Sequence, residues 1–289
     1  MGKRITAIDL GTHTISVLVC EEENDGIRVI AYERTNSDGI KKGIIYNIQK
    51  TMIALRMLIN KIQEEKGITI NEAVVNISGR LKRCEPYSFE ITRREPNSFI
   101  SAAEIAKMNN EAMSYPVKGD EKVLYAIPKA FNVDDYIGKD FKDLEGSIGR
   151  DVTCNYNLMI GRAVQFNNIK KLFESLKINV TEYILTPIAS ARSILTKDER
   201  ELGVAVIEIG AGTTNVIVIK EDQIKHIAVI PFAGASITED IRIATSTSSM
   251  KSEIMKVKYG TCLESSVLEN KTIVVKDNLG GREDKMVSF

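Results

Sequence analysis

ELGVAVIEIGAGTTNVIVIKEDQIKHIAVIPF, residues 201–232, reads as strand, glycine turn, strand, polar turn, strand. The residues after the glycine turn, Val216-Ile217-Val218-Ile219, are strand formers. The same plan occurs near the start of the chain, in RITAIDLGTHTISVLVCEEENDGIRVIAYERT, residues 4–35. There Asn24-Asp25-Gly26 supplies the polar turn. Asp9-Leu10-Gly11 falls on Glu208-Ile209-Gly210 at a shift of 199 residues, from 9 to 208, with threonines and β-branched residues following in both copies. Two copies so far apart indicate two related lobes and not a stacked array of short repeats.

A glycine turn between two strands presents consecutive backbone N–H groups, and the missing Cβ lets a phosphate approach them. Thr12, Thr14, Thr213 and Thr214 add hydroxyl donors, and Asp9 and Glu208 end the incoming strands, where both can hold a hydrated Mg²⁺. Two such turns facing each other would clamp a nucleoside triphosphate. Taken singly, each turn also reads as an ordinary hairpin with a carboxylate capping it; the repetition favours the clamp. Other phosphate motifs fail on the letters. G-x-x-x-x-G-K-[ST] occurs nowhere, and Gly210-Ala211-Gly212-Thr213-Thr214-Asn215 ends in Asn and runs into strand formers where a dinucleotide fingerprint needs glycine and a helix. H-R-D and D-F-G are missing too, so a protein-kinase site has no support.

The 289 residues suffice for about two domains. With 39 basic and 39 acidic residues the formal charge is zero, which gives no reason to expect a nucleic-acid partner. At 43% hydrophobic and 27% charged the chain is an ordinary globular one. The longest stretch without Asp, Glu, Lys or Arg, His226–Thr238, is broken by Pro231 and is shorter than the ~20 residues a membrane helix needs. Ile5–Ile8 is too short for a signal-peptide core. A cytoplasmic protein is expected, with Cys20, Cys84, Cys154 and Cys262 reduced, because their spacing forms no C-x-x-C pair.

Between the two copies, Ile48, Met52, Ile53, Leu55, Ile59 and Ile62 keep a helical spacing over Asn47–Lys66, and Gly67 is placed to cap it. Ala73–Ile77 returns to strand. A turn-rich stretch around Pro86 and Pro96 leads to a capping box, Ser101-Ala102-Ala103-Glu104, opening a short helix. Val152–Ile160 reads as strand and Asn168–Lys177 as helix. Thr186 as N-cap and Pro187 at the first position predict the helix that leads into the second copy.

The strand-DLGT-strand unit, the later strand-EIGAGTT-strand unit and the Pro-led helix resemble the superfamily of actin, hexokinase and the heat-shock ATPases. LTKDERELGV (195–204), IPFAGASITEDI (230–241), SEIMKVKYGTC (252–262) and NLGGRED (278–284) narrow this to a resemblance to bacterial FtsA, the cell-division homologue of actin, running essentially end to end. The resemblance implies an α/β, actin-like (ribonuclease H-like), two-lobed fold with duplicated β-meander and phosphate-loop units and an inserted FtsA-type subdomain. In this sequence that gives a first lobe over 1–83, the inserted subdomain over 84–161, a return to the first lobe with the connecting helix over 162–200, and a second lobe over 201–289. ATP and Mg²⁺ are the implied cofactors. Asp9, Gly11, Thr12 and His13 stand in the first phosphate loop, and Glu208, Gly210, Ala211, Gly212, Thr213 and Thr214 in the second. Asp9 and Glu208 would act on the metal through water, Glu208 also being the candidate for catalysis. Glu253 and Lys256, on one helical face, match the pair that contacts the ribose, an exposed intrahelical ion pair being the alternative. The implied partners are the C-terminal tail of FtsZ, binding within 236–289, further copies of the chain, later division proteins recruited through the inserted subdomain, and the inner face of the cytoplasmic membrane.

The sequence also departs from that family. Glu208 replaces the usual Asp, Asn215 stands where Asp often follows the paired threonines, and His13-Thr14 stands where a Lys is common. No Asp, Glu, Asn or Gln lies between Glu182 and Asp198, so the connecting helix lacks the group that orients an attacking water, and hydrolysis is expected to be slow or undetectable. Family members continue past Gly280-Gly281-Arg282 into more of the second lobe and a basic amphipathic membrane helix, so this sequence is expected to be a shortened form. Two rival functions remain on the same scaffold: a sugar kinase or exopolyphosphate-type phosphatase, and an interaction module without nucleotide.

Overall fold

The computed structural model describes residues 2–24, 26–78, 81–138, 141–263, 272–275 and 285–288. NLGGRED and Asp25 lie outside the described residues. The chain divides into two compact units, Met1–Ala233 and Gly234–Phe289.

In the first unit β1 (Arg4–Leu10), β2 (Thr14–Glu23) and β3 (Gly26–Asn36) form the expected antiparallel meander, with Asp9 opposite Ser16. A small hairpin, β4 (Ile40–Lys41) and β5 (Ile44–Ile45), turns through Lys42 and Gly43 at φ 50° and 70°, the left-handed pair that a tight two-residue turn requires. Helix α1 (Ile48–Lys66) follows, its Asn47 side chain accepting from the Lys50 N–H and Gly67 closing it at φ 64°. Thr51, Leu55, Leu58 and Ile62 form its buried stripe. Strand β6 (Glu72–Ile77) then lies parallel to β1. With β11 (Asn179–Leu185) on its far side, the sheet order is β11-β6-β1-β2-β3.

Residues 81–162 build a second sheet, ordered β7 (Leu81–Thr92), β10 (Asp151–Arg162), β8 (Glu121–Val133), β9 (Tyr136–Gly138). Helix α2 (Ala102–Met113) covers it, opened by the predicted capping box of Ser101 and Glu104. This sheet has its own core, with Phe131, Val152, Cys154, Tyr156, Leu158 and Ile160 among its members. Strand β7 corrects the turn-rich reading around Pro86: an edge strand tolerates a proline because one row of its N–H groups has no ladder partner.

Helix α3 (Ala163–Leu176) begins five residues before the predicted Asn168. Helix α4 (Thr186–Ile194) has Leu185, not Thr186, at its N-cap, and the Thr186 hydroxyl points elsewhere. A short α5 (Lys197–Leu202) leads into the third sheet, β12 (Val204–Ile209), β13 (Thr214–Lys220) and β14 (Gln223–Ile230), the second copy of the meander. Ile217, Ile219 and Ile227 from it share one buried cluster with Ile8, Val17, Leu55, Val75 and Ile188.

The second unit contains α6 (Gly234–Thr245), α7 (Ser249–Tyr259) and a strand pair, β15 (Thr272–Val275) with β16 (Lys285–Ser288).

Candidate nucleotide site

The two glycine turns are built alike. Gly11 N–H donates to the Thr14 carbonyl at 3.0 Å, and 199 residues later Gly210 N–H donates to the Thr213 carbonyl at 3.0 Å. The glycines are required by space. A Cβ on Gly11 would lie 2.6 Å from the Thr14 carbonyl oxygen, and one on Gly212 would lie 2.4 Å from Thr12 Oγ1 and 2.7 Å from Thr12 Cγ2. That second contact joins the copies: the loop after β1 packs its threonine against the loop after β12. Thr12 Oγ1 also accepts from Gly43 N–H at 2.9 Å, so the tip of the β4–β5 hairpin braces the first turn.

The two carboxylates come together here. Asp9 is exposed along one side, yet protein closes in on the other. Loss of hydration there, then the charge of Glu208, pushes its carboxyl up to about 6. Asp9 Oδ1 accepts 2.6 Å from Asn76 Nδ2, whose other acceptor is Thr186 Oγ1 at 3.1 Å. Asn76 Oδ1 in turn accepts the Leu10 N–H at 2.7 Å, and Thr186 donates to the Ile77 carbonyl at 3.3 Å. The second carboxylate, half-buried Glu208, receives the Ser190 hydroxyl on Oε2 at 2.7 Å. Across the ladder Glu208 pairs with Asn215, so the two side chains share a face. Asn215 is 2% exposed, and its Oδ1 has no hydrogen-bond partner among the described residues. A buried oxygen left unpaired beside a carboxylate suits a hydrated cation or another donor.

Several predicted residues serve otherwise. The Thr214 hydroxyl donates to the Phe232 carbonyl at 2.7 Å, and His13 is exposed, its carbonyl accepting from Ser37 N–H. Thr213 is buried, and Ala211 half-buried between the two glycines. Glu253 and Lys256 lie on α7 in the second unit, ion-paired at 2.7 Å, with Lys256 Nζ also donating to the Gly234 carbonyl at 3.1 Å and Thr238 Oγ1 at 2.9 Å. Thr238 bonds Glu253 as well.

Sequence reasoning missed Asn76, Thr186 as a network member, Ser190 and Gly43. An Asn at the end of a strand gives no signal by itself. Only the parallel pairing of β6 with β1 brings it 67 residues across the sequence to Asp9. Among the described residues no group of three or more His, Cys, Asp or Glu gathers for a metal. A cation here would rest on two carboxylates, waters and ligand oxygens, the manner in which Mg²⁺ meets a triphosphate. The donor set fits that ion: frustrated Asp9, Glu208 opposing it and the orphaned Asn215 oxygen all gain from a divalent charge.

Two solved structures share the fold. The chain matches the "PilM-PilN type IV pilus biogenesis complex" at TM-score 0.60 and 13% identity over 89% of this chain and 70% of that one. It matches the ethanolamine utilization protein EutJ from Carboxydothermus hydrogenoformans at TM-score 0.52 and 15% identity over 90% and 63%. Duplicated meanders with facing glycine turns on this scaffold give the chain an actin-like fold. The family model described as "Cell division protein FtsA" matches residues 205–289. The Cell division protein FtsA of Pseudomonas aeruginosa is 30% identical over 288 residues, 99% of this chain and 68% of that protein. The protein of the same name from Streptococcus pneumoniae is 30% identical over 255 residues, 88% of this chain and 55% of its own length. The chain belongs to the FtsA family of cell-division proteins. It thus spans between about half and two thirds of the length of these relatives. Among the described residues no helix is long and apolar enough to cross a membrane.

Proposed function

We propose that this actin-like cell-division protein binds ATP with Mg²⁺ between the two glycine turns and uses the nucleotide as an assembly switch. The observation that carries the reading is the repeated turn, Gly11 to Thr14 and Gly210 to Thr213, with Asp9 and Glu208 at matching positions on the incoming strands. Backbone N–H groups around Gly11, Thr12 and Gly212 meet the phosphates, where glycine leaves room for close approach. Bound Mg²⁺ would neutralise phosphate charge. Asp9 and Glu208 would hold the hydrated ion, and Glu208 would be the residue to orient a hydrolytic water. Asn76 fixes the direction of Asp9, so its second oxygen is left for the metal shell. Glu253 and Lys256 are the proposed ribose contacts. His13 and Ala211 line the loops.

The four-part division read from the sequence is part of this proposal, with residues 84–161 as the assembly and recruitment subdomain. The nucleotide-bound form polymerises and engages the C-terminal tail of FtsZ through 236–289. Anchoring at the inner membrane face through a C-terminal helix is part of the same proposal. Slow turnover accords with a switch more than with an enzyme.

The test is Mg²⁺·ATP binding by calorimetry and by protection from thermal unfolding, which binding to the native state must give. Asp9→Ala and Gly210→Val should each abolish binding with the fold retained by circular dichroism. Unchanged affinity in both variants would sink the clamp. A wild-type chain that ATP does not protect would leave the interaction-module reading in its place.

A further inference from the structure

Helix α4 carries two hydroxyls one turn apart, and each serves one of the two carboxylates. Thr186 and Ser190 are i and i+4, hence neighbours on one helical face. Thr186 accepts from Asn76 Nδ2, the same group that bonds Asp9, while Ser190 donates directly to Glu208 Oε2 at 2.7 Å. The helix is well anchored for this. Pro187, Ile188 and Ala191 are buried along it, with Ile188 and Ala191 in the cluster that includes Ile217 and Ile219 of β13. Thr186 ties its first turn to the Ile77 carbonyl at the end of β6. Ser190 therefore cannot drift relative to β12 without disturbing that core.

The reach of the partner is matched to it. A glutamate carboxylate stands one methylene further from its strand than an aspartate's, roughly 1.5 Å by ordinary bond lengths. A 2.7 Å contact made by Glu208 would open well beyond hydrogen-bond range if Asp stood there on the same backbone. Left unheld, the longer side chain has an extra torsion and would swing, and the charge of Asp9 would push it outward.

We infer that Ser190 is a positioning residue that sets the Glu208 carboxylate for the metal, a role matched to the length of glutamate. The connecting helix, which has no Asp, Glu, Asn or Gln between 182 and 198, thus acts on the site through a hydroxyl held against β12. This rests on the Mg²⁺·ATP reading above. The Ser190 hydroxyl touches Glu208 and orients it, and Glu208 would hold the hydrated ion.

The experiment measures ATP affinity of the whole chain by calorimetry with Mg²⁺ and with EDTA, and takes the ratio. Wild type should gain from Mg²⁺. Ser190→Ala should cut that gain about tenfold, the size expected for losing one hydrogen bond to a charged group. Ser190→Thr, which keeps the hydroxyl, should restore it. In a Glu208→Asp background Ser190→Ala should change the ratio less than twofold, because the shorter side chain does not reach the hydroxyl. A merely structural role for Ser190 would move the thermal midpoint and leave the ratio in place. A Mg²⁺ gain that survives Ser190→Ala, or an equal loss in the Glu208→Asp background, overturns the inference alone. A wild-type chain that gains nothing from Mg²⁺ overturns the nucleotide reading together with it.

Discussion

Two clusters of charge lie within the first 233 residues, one around Arg93 and one around Asp9 and Glu208, and they are resolved in opposite ways. Arg93 is buried at the end of β7, and every face of its guanidinium is answered. Nε meets Glu104 at 2.9 Å, Nη1 the carbonyls of Gly149 and Ser98, and Nη2 the hydroxyl of Ser98 and the carbonyl of Phe99. Those bonds, with the Ser101 backbone N–H, hold the Glu104 carboxyl down to about 2. At the glycine turns the sign reverses: burial and the charge of Glu208 drive Asp9 up to about 6. A charge cluster that is complete in itself is architecture, here pinning the loop of residues 93–101 to the start of α2. Carboxylates that crowd each other instead are what the proposed Mg²⁺·ATP reading would relieve.

The sharpest way to break this contrast is to remove Arg93. Arg93→Ala leaves the carbonyls of Ser98, Phe99 and Gly149 without their donor, while Glu104, 33% exposed, keeps its Ser101 bonds, so the loss should be about 1–3 kcal/mol, the cost of unpaired buried acceptors. Urea unfolding should show that loss in the second sheet, while Asp9 and Glu208, in other elements, keep their Mg²⁺·ATP affinity wherever the chain stays folded. A cost below about 1 kcal/mol would mean the cluster is ornamental.

Asp9→Asn makes the reverse experiment. The amide keeps an acceptor for Asn76 and removes the charge that faces Glu208. Mg²⁺·ATP affinity should fall at least about tenfold, as for a lost contact to a charged group, yet the nucleotide-free protein should melt at a higher temperature at pH 8 than the wild type. A variant that loses both affinity and stability would show that Asp9 is a structural carboxylate and that the site is not frustrated.

Acid separates the clusters without mutation. The folded-state carboxyl of Asp9 lies above its ordinary value, so the native state binds that proton more tightly than the unfolded chain, and its contribution favours folding as pH falls from 7 through 6 toward 4. Glu104 lies below its ordinary value, so its contribution is present above about 4.5 and is lost as pH falls toward 2. Protease nicking within 81–162 should therefore appear only under strong acid. The difference in melting temperature between wild type and Asp9→Asn should narrow as pH falls below 6 and close only near pH 4, the ordinary carboxyl value. Equal sensitivity of both observables to pH 5–7 would contradict the assignment.

How much of this was readable beforehand follows from how local each feature is. The two meanders, α1 with its Asn47 and Gly67 caps and the Ser101–Glu104 box are written in residues close to one another, and periodicity found them. Strand β7 was hidden because LKRCEPYSFEIT alternates charge with aromatic residues around a proline, and only its edge position makes that acceptable. Strand β8 was hidden by Pro128, which sits where the register with β10 slips, Ala130 facing Asn155 and Pro128 facing Tyr156 with Lys129 bulged between them. The start of α3 gave no signal, since Arg162 caps nothing with its side chain and Gln165 reaches back to the Arg162 N–H instead. In the site, glycines and carboxylates were legible because chemistry restricts them to few residue types. Their supports, Asn76 and Ser190, were not, because a polar residue on a strand or helix becomes a support only when the fold puts a carboxylate beside it.

A smaller effect tests the contact between the copies. Gly212→Ala places a methyl against Thr12, and overpacking of that kind costs about 1–3 kcal/mol. Thr12→Ala on top of it should return only part of the stability, because the Thr12 Cβ itself lies 2.9 Å from the added methyl, and none of the nucleotide affinity, because the hydroxyl that Gly43 N–H donates to is gone. Full recovery of both would leave Thr12 as a spacer.

The smallest expected effect is at Lys256, a cation that resembles Arg93 more than Asp9. Its ammonium already has three acceptors, Gly234 O, Thr238 Oγ1 and Glu253 Oε2, within its own unit. To meet a ribose it must exchange one of them, so the net gain from the sugar is the difference between two hydrogen bonds of similar strength, about 1 kcal/mol or less. Lys256→Met should therefore weaken ATP by only about twofold to fivefold in calorimetry, with a comparably small loss in melting temperature from loosened α6–α7 packing. ATP and its 2′-deoxy analogue should come closer in affinity, since the lost contact is to the sugar. A hundredfold loss would place Lys256 with the frustrated charges and would show that a satisfied ion pair can still be a site.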